Sequence, residues 1–462
     1  MPSRSRTLPL AAFGLLVAAG GAALAGPAVP GEGGTPTNTA ASYTAATYKV
    51  FDNTGRQTGT AKWHWTDAGG NCCEVYITSD SHGKLLEYGG SLPFQSSDNG
   101  KTWQKVVFPT PLVNGEGAMV AGPGGEQFGV SWDAYTGDHL QGTKYSAVTK
   151  TWQTAEAPIK TPVFDREWIT YAKGPWNDGG KTVPYLTLVR GGTATKGVEL
   201  IATDGLSYTT VSDPNNDVQT GGTEIPTFKI PVVKNKDADY WQPNPGTYTL
   251  PLNAGGVLLF DNGEDNLGAD AARLNPSTLT WERVKLAFKP VGVVRQDSRG
   301  WLSMTSRKGN EISFSQSSNG GLTWRSTTLT IPNTVSKIES SGDFLDVKVN
   351  GVLGTAVVST RADNKAGIGQ DLVWKIDVRG LQPKVQKVYA VGLGNAPSAI
   401  GIVAAGNDRF DFPSVALLPN GKIAVSFQDK TTPRHIATEG VPSSGAILHP
   451  EQGHSPALAI LD

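Results

Sequence analysis

The chain has 462 residues, of which 40 are Lys or Arg and 41 are Asp or Glu, so the formal net charge is −1. No block of Lys and Arg occurs after the signal-like start, which disfavours nucleic acid and an anionic membrane surface as partners. No later apolar stretch approaches the roughly 20 residues that a spanning helix needs, so we expect no membrane insertion.

The first 25 residues have the three regions of a secretory signal: Arg4 and Arg6, an apolar run over residues 8–24, and Ala-Leu-Ala before Gly26. We therefore expect export by the general secretion route and a secreted, extracellular protein. Residues 26–42 are rich in Gly, Pro, Thr and Ala, which is typical of a flexible leader. Residues 43–462 are expected to form a single domain.

Short alternating or β-branched runs bounded by turn residues recur along the chain, and helical periodicity is scarce, which predicts an all-β fold. A repeat of strand, Gly-containing turn, strand, strand and aromatic-ended turn indicates propeller blades. We predict a β-propeller of seven blades, with six as the alternative. Residues 47–51 are expected to complete the last blade and join the two ends of the chain. The predicted first strands begin near Glu74, Ala118, Glu167, Thr247, Val291, Phe344 and Phe412.

Two turns share one residue pattern, Ser96-Ser-Asp98-Asn-Gly100-Lys-Thr102-Trp103 and Ser317-Ser-Asn319-Gly-Gly321-Leu-Thr323-Trp324. The Asp or Asn side chain can accept backbone N–H groups of its own turn, Gly permits a positive φ, and Trp packs the hairpin. The pattern therefore predicts structural hairpins rather than catalytic residues.

The pattern resembles the Asp box, or bacterial neuraminidase repeat, of the sialidase-like β-propellers. Weaker versions occur at residues 149–152, 203–208 and 277–281. In that family the boxes lie on outer hairpins, away from the substrate site, so the resemblance implies a structural role for residues 96–103 and 317–324.

The first strands of propeller blades converge on a central channel, so charged residues at their leading ends are the candidate site. Residues 165–169 also resemble the Asp-Arg/Lys-x-Trp blade entry of secreted Asp-box proteins. The alternative is that these charges cap strands and pair between blades. The catalytic candidates are Glu74, Asp165, Glu167 and Asp411, and the substrate-binding candidates are Arg166, Arg295, Arg409 and Trp168.

The resemblance implies an extracellular glycan or glycoconjugate as partner, and two functions stay open. The first is a glycoside hydrolase or lyase, for which two carboxyls about 5–9.5 Å apart would be required, or a Tyr such as Tyr389 in place of the nucleophile. The second is a non-catalytic propeller that binds glycan or protein. The Arg-Ile-Pro signature of sialidases is absent from this chain, so the sugar is left unassigned.

Three smaller expectations complete the prediction. No cofactor is expected, with Ca²⁺ in the acidic loop at residues 261–266 as the alternative. Cys72 and Cys73 are the only cysteines and either form a strained vicinal disulfide or remain thiols. We expect the mature protein to be a monomer.

Overall fold

The computed structural model has thirty strands among the residues that it describes. No helix among the described residues has the length and apolarity that crossing a membrane requires. The described residues are 44–67, 76–88, 94–106, 117–122, 125–132, 140–156, 167–169, 185–190, 197–203, 208–212, 248–251, 257–260, 270–275, 280–285, 289–308, 311–338, 345–367, 369–392, 410–429 and 456–461.

An N-terminal hairpin precedes five antiparallel sheets of four strands each. The hairpin consists of β1 (Thr44–Phe51) and β2 (Gln57–Asp67). The first two sheets are β3 (Tyr76–Ser79), β4 (Leu85–Tyr88), β5 (Phe94–Ser96) and β6 (Gln104–Lys105), then β7 (Gly117–Ala121), β8 (Gln127–Trp132), β9 (Leu140–Ser146) and β10 (Thr151–Glu156).

The next three sheets repeat this order of four consecutive strands. They are β11 (Glu167–Ile169), β12 (Tyr185–Arg190), β13 (Gly197–Thr203) and β14 (Tyr208–Ser212); β15 (Tyr248–Pro251), β16 (Val257–Phe260), β17 (Asp270–Asn275) and β18 (Thr280–Lys285); and β19 (Lys289–Gln296), β20 (Leu302–Lys308), β21 (Glu311–Ser317) and β22 (Arg325–Leu329).

The last strands belong to one ten-stranded sheet that curls back on itself. Its order is β23-β25-β26-β27-β1-β2-β30-β29-β28, and β24 also pairs with β25. Because β28 contacts both β24 and β25, the two ends of this sheet face each other. The strands are β23 (Val335–Ile338), β24 (Leu345–Asn350), β25 (Thr355–Asn364), β26 (Gly369–Asp377), β27 (Lys384–Gly392), β28 (Phe410–Leu417), β29 (Ile423–Asp429) and β30 (Pro456–Leu461).

The N-terminal hairpin lies between the two halves of the curled sheet. Strand β1, which contains residues 47–51, pairs with β2 and β27, whereas β2 is the strand that pairs with the C-terminal strand β30. Residues 47–51 were predicted to complete the last blade, and strand β30 was not predicted. The strand that pairs with β30 is β2, whose Trp63 and Trp65 are fully buried in the core between the halves.

One turn geometry recurs five times among the described residues. In each of these five-residue turns, the N–H of the first residue donates to the carbonyl oxygen of the fifth residue. The fourth residue is a Gly, and its N–H donates to the carbonyl oxygen of the first residue. These glycines have φ between 77° and 85°, a conformation that L side chains rarely adopt. The Gly-containing turn predicted after each first strand is therefore present in four sheets and in the N-terminal hairpin. The turns are residues 52–56, 80–84, 122–126, 297–301 and 418–422.

The seven predicted first strands each begin within two residues of an observed strand: β3, β7, β11, β15, β19, β24 or β28. These strands contact one another in sequence, β3 with β7, β7 with β11, β15 with β19, β19 with β24, and β24 with β28; between β11 and β15 the contact is made by β12. Strand β28 in turn lies against β3. With β12, the first strands thus form a continuous series of contacts.

Large side chains fill the space between neighbouring sheets. Trp374 and Phe314 pack in a cluster between the β19–β22 sheet and the β24–β27 strands. Trp63 and Val415 belong to a cluster inside the curl of the ten-stranded sheet, and Trp103 packs against Ile460. Burial of apolar surface at about 25 cal/mol per Å² is the main stabilising force of such contacts.

Candidate functional site

The turn at residues 96–103 joins β5 to β6 and is closed by its own side chains. Asp98 Oδ1 accepts a hydrogen bond from Thr102 N (2.9 Å), and Asp98 Oδ2 accepts one from Thr102 Oγ1 (2.7 Å). Ser96 Oγ accepts from Gly100 N (2.8 Å), and Trp103 Nε1 donates to Gly100 O (3.1 Å). Burial raises the pKa of Asp98, but the hydrogen bonds from Thr102, Ser96 and the backbone of Lys101 together leave the pKa below its ordinary value. The carboxylate therefore serves the turn.

The turn at residues 317–324 joins β21 to β22 with equivalent hydrogen bonds, except that Asn319 Nδ2 donates to Thr323 Oγ1, whereas Asp98 accepts from Thr102 Oγ1. Ser317 Oγ accepts from Gly321 N (3.0 Å), Asn319 Oδ1 accepts from Thr323 N (2.9 Å), and Trp324 Nε1 donates to Gly321 O (2.9 Å). Both turns connect the third and fourth strands of a sheet, and residues 149–152 span the end of the corresponding turn and the start of β10. The turn chemistry predicted from the sequence is confirmed, and Asp98 and Asn319 have structural partners.

Most predicted site residues lie outside the described residues. This applies to Glu74, Asp165, Arg166 and Arg409 as a whole, and to the side chains of Glu167, Trp168 and Asp411, whose backbones lie in β11 and β28. The pair Cys72-Cys73 and the acidic loop at residues 261–266 also lie outside. Among the described residues, no group of three or more His, Cys, Asp or Glu could hold a metal ion.

Arg295 is the predicted site residue whose side chain is described. It lies near the end of β19 and contacts the neighbouring first strand, β24. Its Nη2 is 3.3 Å from Asp346 Oδ1, and its Nε donates to the carbonyl of Val347 at 3.0 Å. The side chain is 14% exposed. Its guanidinium is thus engaged between two sheets rather than directed at an open cleft.

Asp346 is the centre of a polar network that joins three first strands. Its Oδ2 accepts hydrogen bonds from Ser414 Oγ and Val415 N of β28, both at 3.0 Å, and lies 3.4 Å from Lys348 Nζ. Burial alone would raise the pKa of Asp346, but the charges of Lys348 and Arg295 and the hydrogen bonds from β28 hold it below its ordinary value. A paired, ionised carboxylate at this position links sheets.

Two other carboxyls are buried, Asp371 in β26 and Glu87 in β4, and Glu87 has no hydrogen-bond partner among the described residues. Burial raises the pKa of both well above the ordinary range, and the charge of Asp346 raises that of Asp371 further, although Thr360 N–H opposes the shift. Neighbouring carboxyls with opposite pKa shifts, such as Asp346 and Asp371, are typical of acid–base sites. Here they are 6% and 1% exposed, so a substrate cannot reach them.

Tyr389, considered as a sialidase-type nucleophile, lies in β27, away from the first strands. Its ring packs edge-on against Trp63, with centroids 5.6 Å apart, and burial raises its pKa to about 12. Tyr389 lines a cavity in which none of the described lining residues is Asp or Glu. The described structure therefore provides no carboxylate partner for a Tyr nucleophile.

The sequence analysis did not single out Asp346, Lys348 or the lysines that line the Tyr389 cavity. The alternation Asp346-Val-Lys348 at the start of a predicted first strand was a usable signal, because both side chains must face the same side of the strand. The cavity lysines come from distant segments, so only the strand pairing could reveal them.

No protein-family model and no curated protein matches the chain. Solved structures similar to it include the NanB sialidase of Streptococcus pneumoniae, at 14% identity and a TM-score of 0.39, covering 86% of this chain and 69% of that one. A protein of unknown function from Dyadobacter fermentans is 9% identical with a TM-score of 0.39, covering 90% and 99%. An ulvan lyase of a polysaccharide lyase family is 10% identical with a TM-score of 0.43, covering 85% and 95%.

All three TM-scores lie below 0.5 and all three identities below 25%. Two of these three proteins are glycan-active enzymes, a sialidase and a polysaccharide lyase. At this level of similarity they assign neither a substrate nor a reaction to this chain.

Proposed function

We propose that this chain is a secreted, sialidase-like β-propeller of seven blades that acts on an extracellular glycan as a hydrolase or lyase. The sequence of contacts from β3 through β28 and back to β3 supports this architecture, because it is the order expected when each first strand lines a common channel. The positions of the two Ser-to-Trp turns, between third and fourth strands, agree with the outer hairpins of such blades.

The proposed substrate site is the face at which the first strands begin. In up-and-down sheets all first strands enter from one end, so residues at their starts converge there. On this proposal Glu74, Asp165, Glu167 and Asp411 supply the acid and the nucleophile or base. The side chains proposed to orient the sugar are Arg166, Arg409 and Trp168. Arg295 was predicted for the same role, but it lies near the end of β19, next to the turn at residues 297–301, and is paired with Asp346, so it is not part of the proposed face.

A non-catalytic propeller that binds glycan with the same face is the second candidate. The ion pair between Arg295 and Asp346 favours it, because one of the expected substrate-binding guanidinium groups is engaged within the protein. Binding requires only convergent polar and aromatic groups, whereas hydrolysis also requires a free acid–base pair.

Export follows from the proposed signal at residues 1–25, which mass spectrometry of the secreted protein would test by locating the mature N-terminus. The mature chain is proposed to be a monomer that needs no cofactor, with Ca²⁺ at residues 261–266 as the exception. Thermal unfolding with and without a chelator tests the Ca²⁺ alternative. If the protein has no Ca²⁺ site, the chelator should leave its thermal stability unchanged.

A screen of the purified protein decides between the two candidates. Sialosides and common plant and bacterial polysaccharides are incubated with it, and products are followed by mass spectrometry, with ultraviolet absorbance for the unsaturated products of a lyase. Release of product from one class of substrate supports the enzyme. Binding of a glycan without release of product from any substrate supports the binding propeller. If the protein binds no glycan and releases no product, both candidates are contradicted.

A further inference from the structure

A cavity of about 660 Å³ lies between the outer strands of the curled sheet and the turn that joins β28 to β29. Strands β26, β27, β1 and β2 form its walls, and Leu461 of β30 lies at one end. Four lysines line it, namely Lys62, Lys375, Lys387 and Lys422. None of the described lining residues carries a negative charge.

Two of these lysines are direct cross-strand neighbours. Lys375 of β26 and Lys387 of β27 are opposite each other in the antiparallel register, which brings their Cβ atoms to about 4.5–5.5 Å. Like charges in this arrangement destabilise a sheet. Burial lowers the pKa of Lys375, and the charge of Lys387 lowers it further. Among the described residues no carboxylate lies within ion-pair distance of either ammonium group.

Neutral donors complete the lining. The hydroxyl of Tyr389 stays protonated because burial raises its pKa to about 12, so it can donate a hydrogen bond to an anion. Thr60 of β2 also lines the cavity, and its hydroxyl is a further hydrogen-bond donor.

The cavity lies at the opposite end of the strands from the proposed substrate face. Lys422 is the last residue of the turn after the first strand β28, and Lys375 and Lys387 flank the turn between the third strand β26 and the fourth strand β27. In an up-and-down sheet both kinds of turn lie at the end opposite to the start of the first strand. The cavity is therefore separate from the leading ends that begin near Glu74 and Asp411.

We propose that this cavity is a second binding site, which takes a multiply charged oxyanion: the carboxylate, sulfate or phosphate groups of a molecule up to the size of a short oligosaccharide. The bound anion supplies the counter-charge that Lys375 and Lys387 lack, and Tyr389 donates to one of its oxygens. The volume lies within the range of about 300–1,000 Å³ that small-molecule sites occupy. The site is independent of the chemistry at the other face.

Calorimetric titration of the secreted full chain tests this with three probes: pyrophosphate, a chondroitin sulfate tetrasaccharide and neutral maltotetraose. Both anions are expected to bind and maltotetraose is not. If the tetrasaccharide binds more tightly, the ligand of the site is an anionic group carried on a sugar. If pyrophosphate binds more tightly, the ligand is a free phosphate. Binding should weaken as salt is added, because ionic strength screens exposed charge.

The variant Lys375→Gln/Lys387→Gln should bind both anions about a hundredfold more weakly, since a hydrogen bond to a charged group contributes about a factor of ten. The control Lys101→Gln/Lys365→Gln removes the same charge from exposed positions elsewhere and should bind like the wild type. Tyr389→Phe should weaken binding less than the lysine pair.

Gly59→Leu provides a test that keeps every lysine. A Cβ atom at Gly59 would meet no atom within 4 Å, so the larger side chain extends into the cavity without strain at its base. Because it reduces the space in the cavity, Gly59→Leu should weaken the binding of the tetrasaccharide more than that of pyrophosphate. The proposal is overturned if the wild type binds neither anion, if Gly59→Leu and the lysine pair both bind as tightly as the wild type, or if the control pair loses as much affinity.

Discussion

The hydroxyl of Ser414 donates a hydrogen bond of 3.0 Å to Asp346 Oδ2 and joins two neighbouring first strands, β28 and β24. The same hydroxyl accepts a hydrogen bond of 3.2 Å from Ile77 N of β3. With Arg295 of β19 on the other carboxylate oxygen, one buried network therefore connects four first strands. Hydrogen bonds are directional and apolar packing is not, so this network fixes the positions of the first strands relative to one another.

Asp346→Ala should reduce the free energy of unfolding by about 3–5 kcal/mol, because it leaves Arg295 and Lys348 as buried, unpaired charges. Denaturant titration followed by tryptophan fluorescence measures the loss. The matched control is Asp377→Asn, which breaks the exposed pair with Arg379 and should cost at most about 1 kcal/mol. Equal losses in the two variants would contradict a stabilising role for the network.

Trp103→Ala should destabilise the protein by about 3–5 kcal/mol, since Trp103 is fully buried between two sheets. Trp324 has the same position in the second turn but is partly exposed, so Trp324→Ala should cost less than half as much. Thermal unfolding compares the two. Glycan binding or turnover per folded molecule should be unchanged in both, and a selective loss of it in a stable variant would contradict the structural reading of the turns.

Glu87→Gln should alter the pH dependence of stability. The pKa of Glu87 is raised in the folded state, so above pH 4.5 the folded state retains a proton that the unfolded state has lost. The free energy of unfolding of the wild type therefore falls as pH rises through this window, by up to about 1.4 kcal/mol per pH unit.

The Gln variant lacks this titration, and its advantage over the wild type should grow from pH 4.5 upwards. Denaturant midpoints at a series of pH values measure the difference. Glu311→Gln, at an exposed position, serves as the control and should run parallel to the wild type. Parallel curves for all three proteins would mean that the Glu87 carboxyl is solvated in solution.

Lys387→Gln should stabilise the unliganded protein by about 0.2–1 kcal/mol, because it removes the like charge opposite Lys375. Lys365→Gln removes an exposed lysine and should change stability by less than about 0.5 kcal/mol. The comparison is made by thermal unfolding in a buffer of low ionic strength without multivalent anions. Destabilisation by Lys387→Gln would show that the two ammonium groups already have a counter-charge.

The starts of the first strands and the hairpin turns could be predicted because their signals are local. Alternation fixes a strand within a few residues, and Asp98 or Gly100 acts on its own turn. The pairing of β2 with β30 could not be predicted in the same way, because it joins residues almost 400 positions apart and depends on which arm of the hairpin buries its Trp side chains.

The site was less predictable than the fold for the same reason. Charges at strand starts mark a candidate face, but whether a given Arg is available depends on its partner in another sheet, as the contact of Arg295 with Asp346 illustrates. The four cavity lysines are spread from Lys62 to Lys422, so no basic block occurs in the sequence. Only strand register brings Lys375 and Lys387 together.

The most direct measurement of the central claim is product release or binding of the preferred glycan by two sets of variants. One set, Glu74→Gln, Arg166→Ala, Arg409→Ala and Asp411→Asn, changes the leading ends of the first strands. The other, Lys84→Gln, Glu126→Gln and Arg299→Gln, changes the turns at their far ends. We predict that the variants of the first set reduce product release or glycan binding at least about tenfold, because each charged contact contributes about 1.4 kcal/mol. The variants of the second set should release product or bind glycan as the wild type does. Loss confined to the second set, with the first set unaffected, would contradict a glycan site at the leading ends.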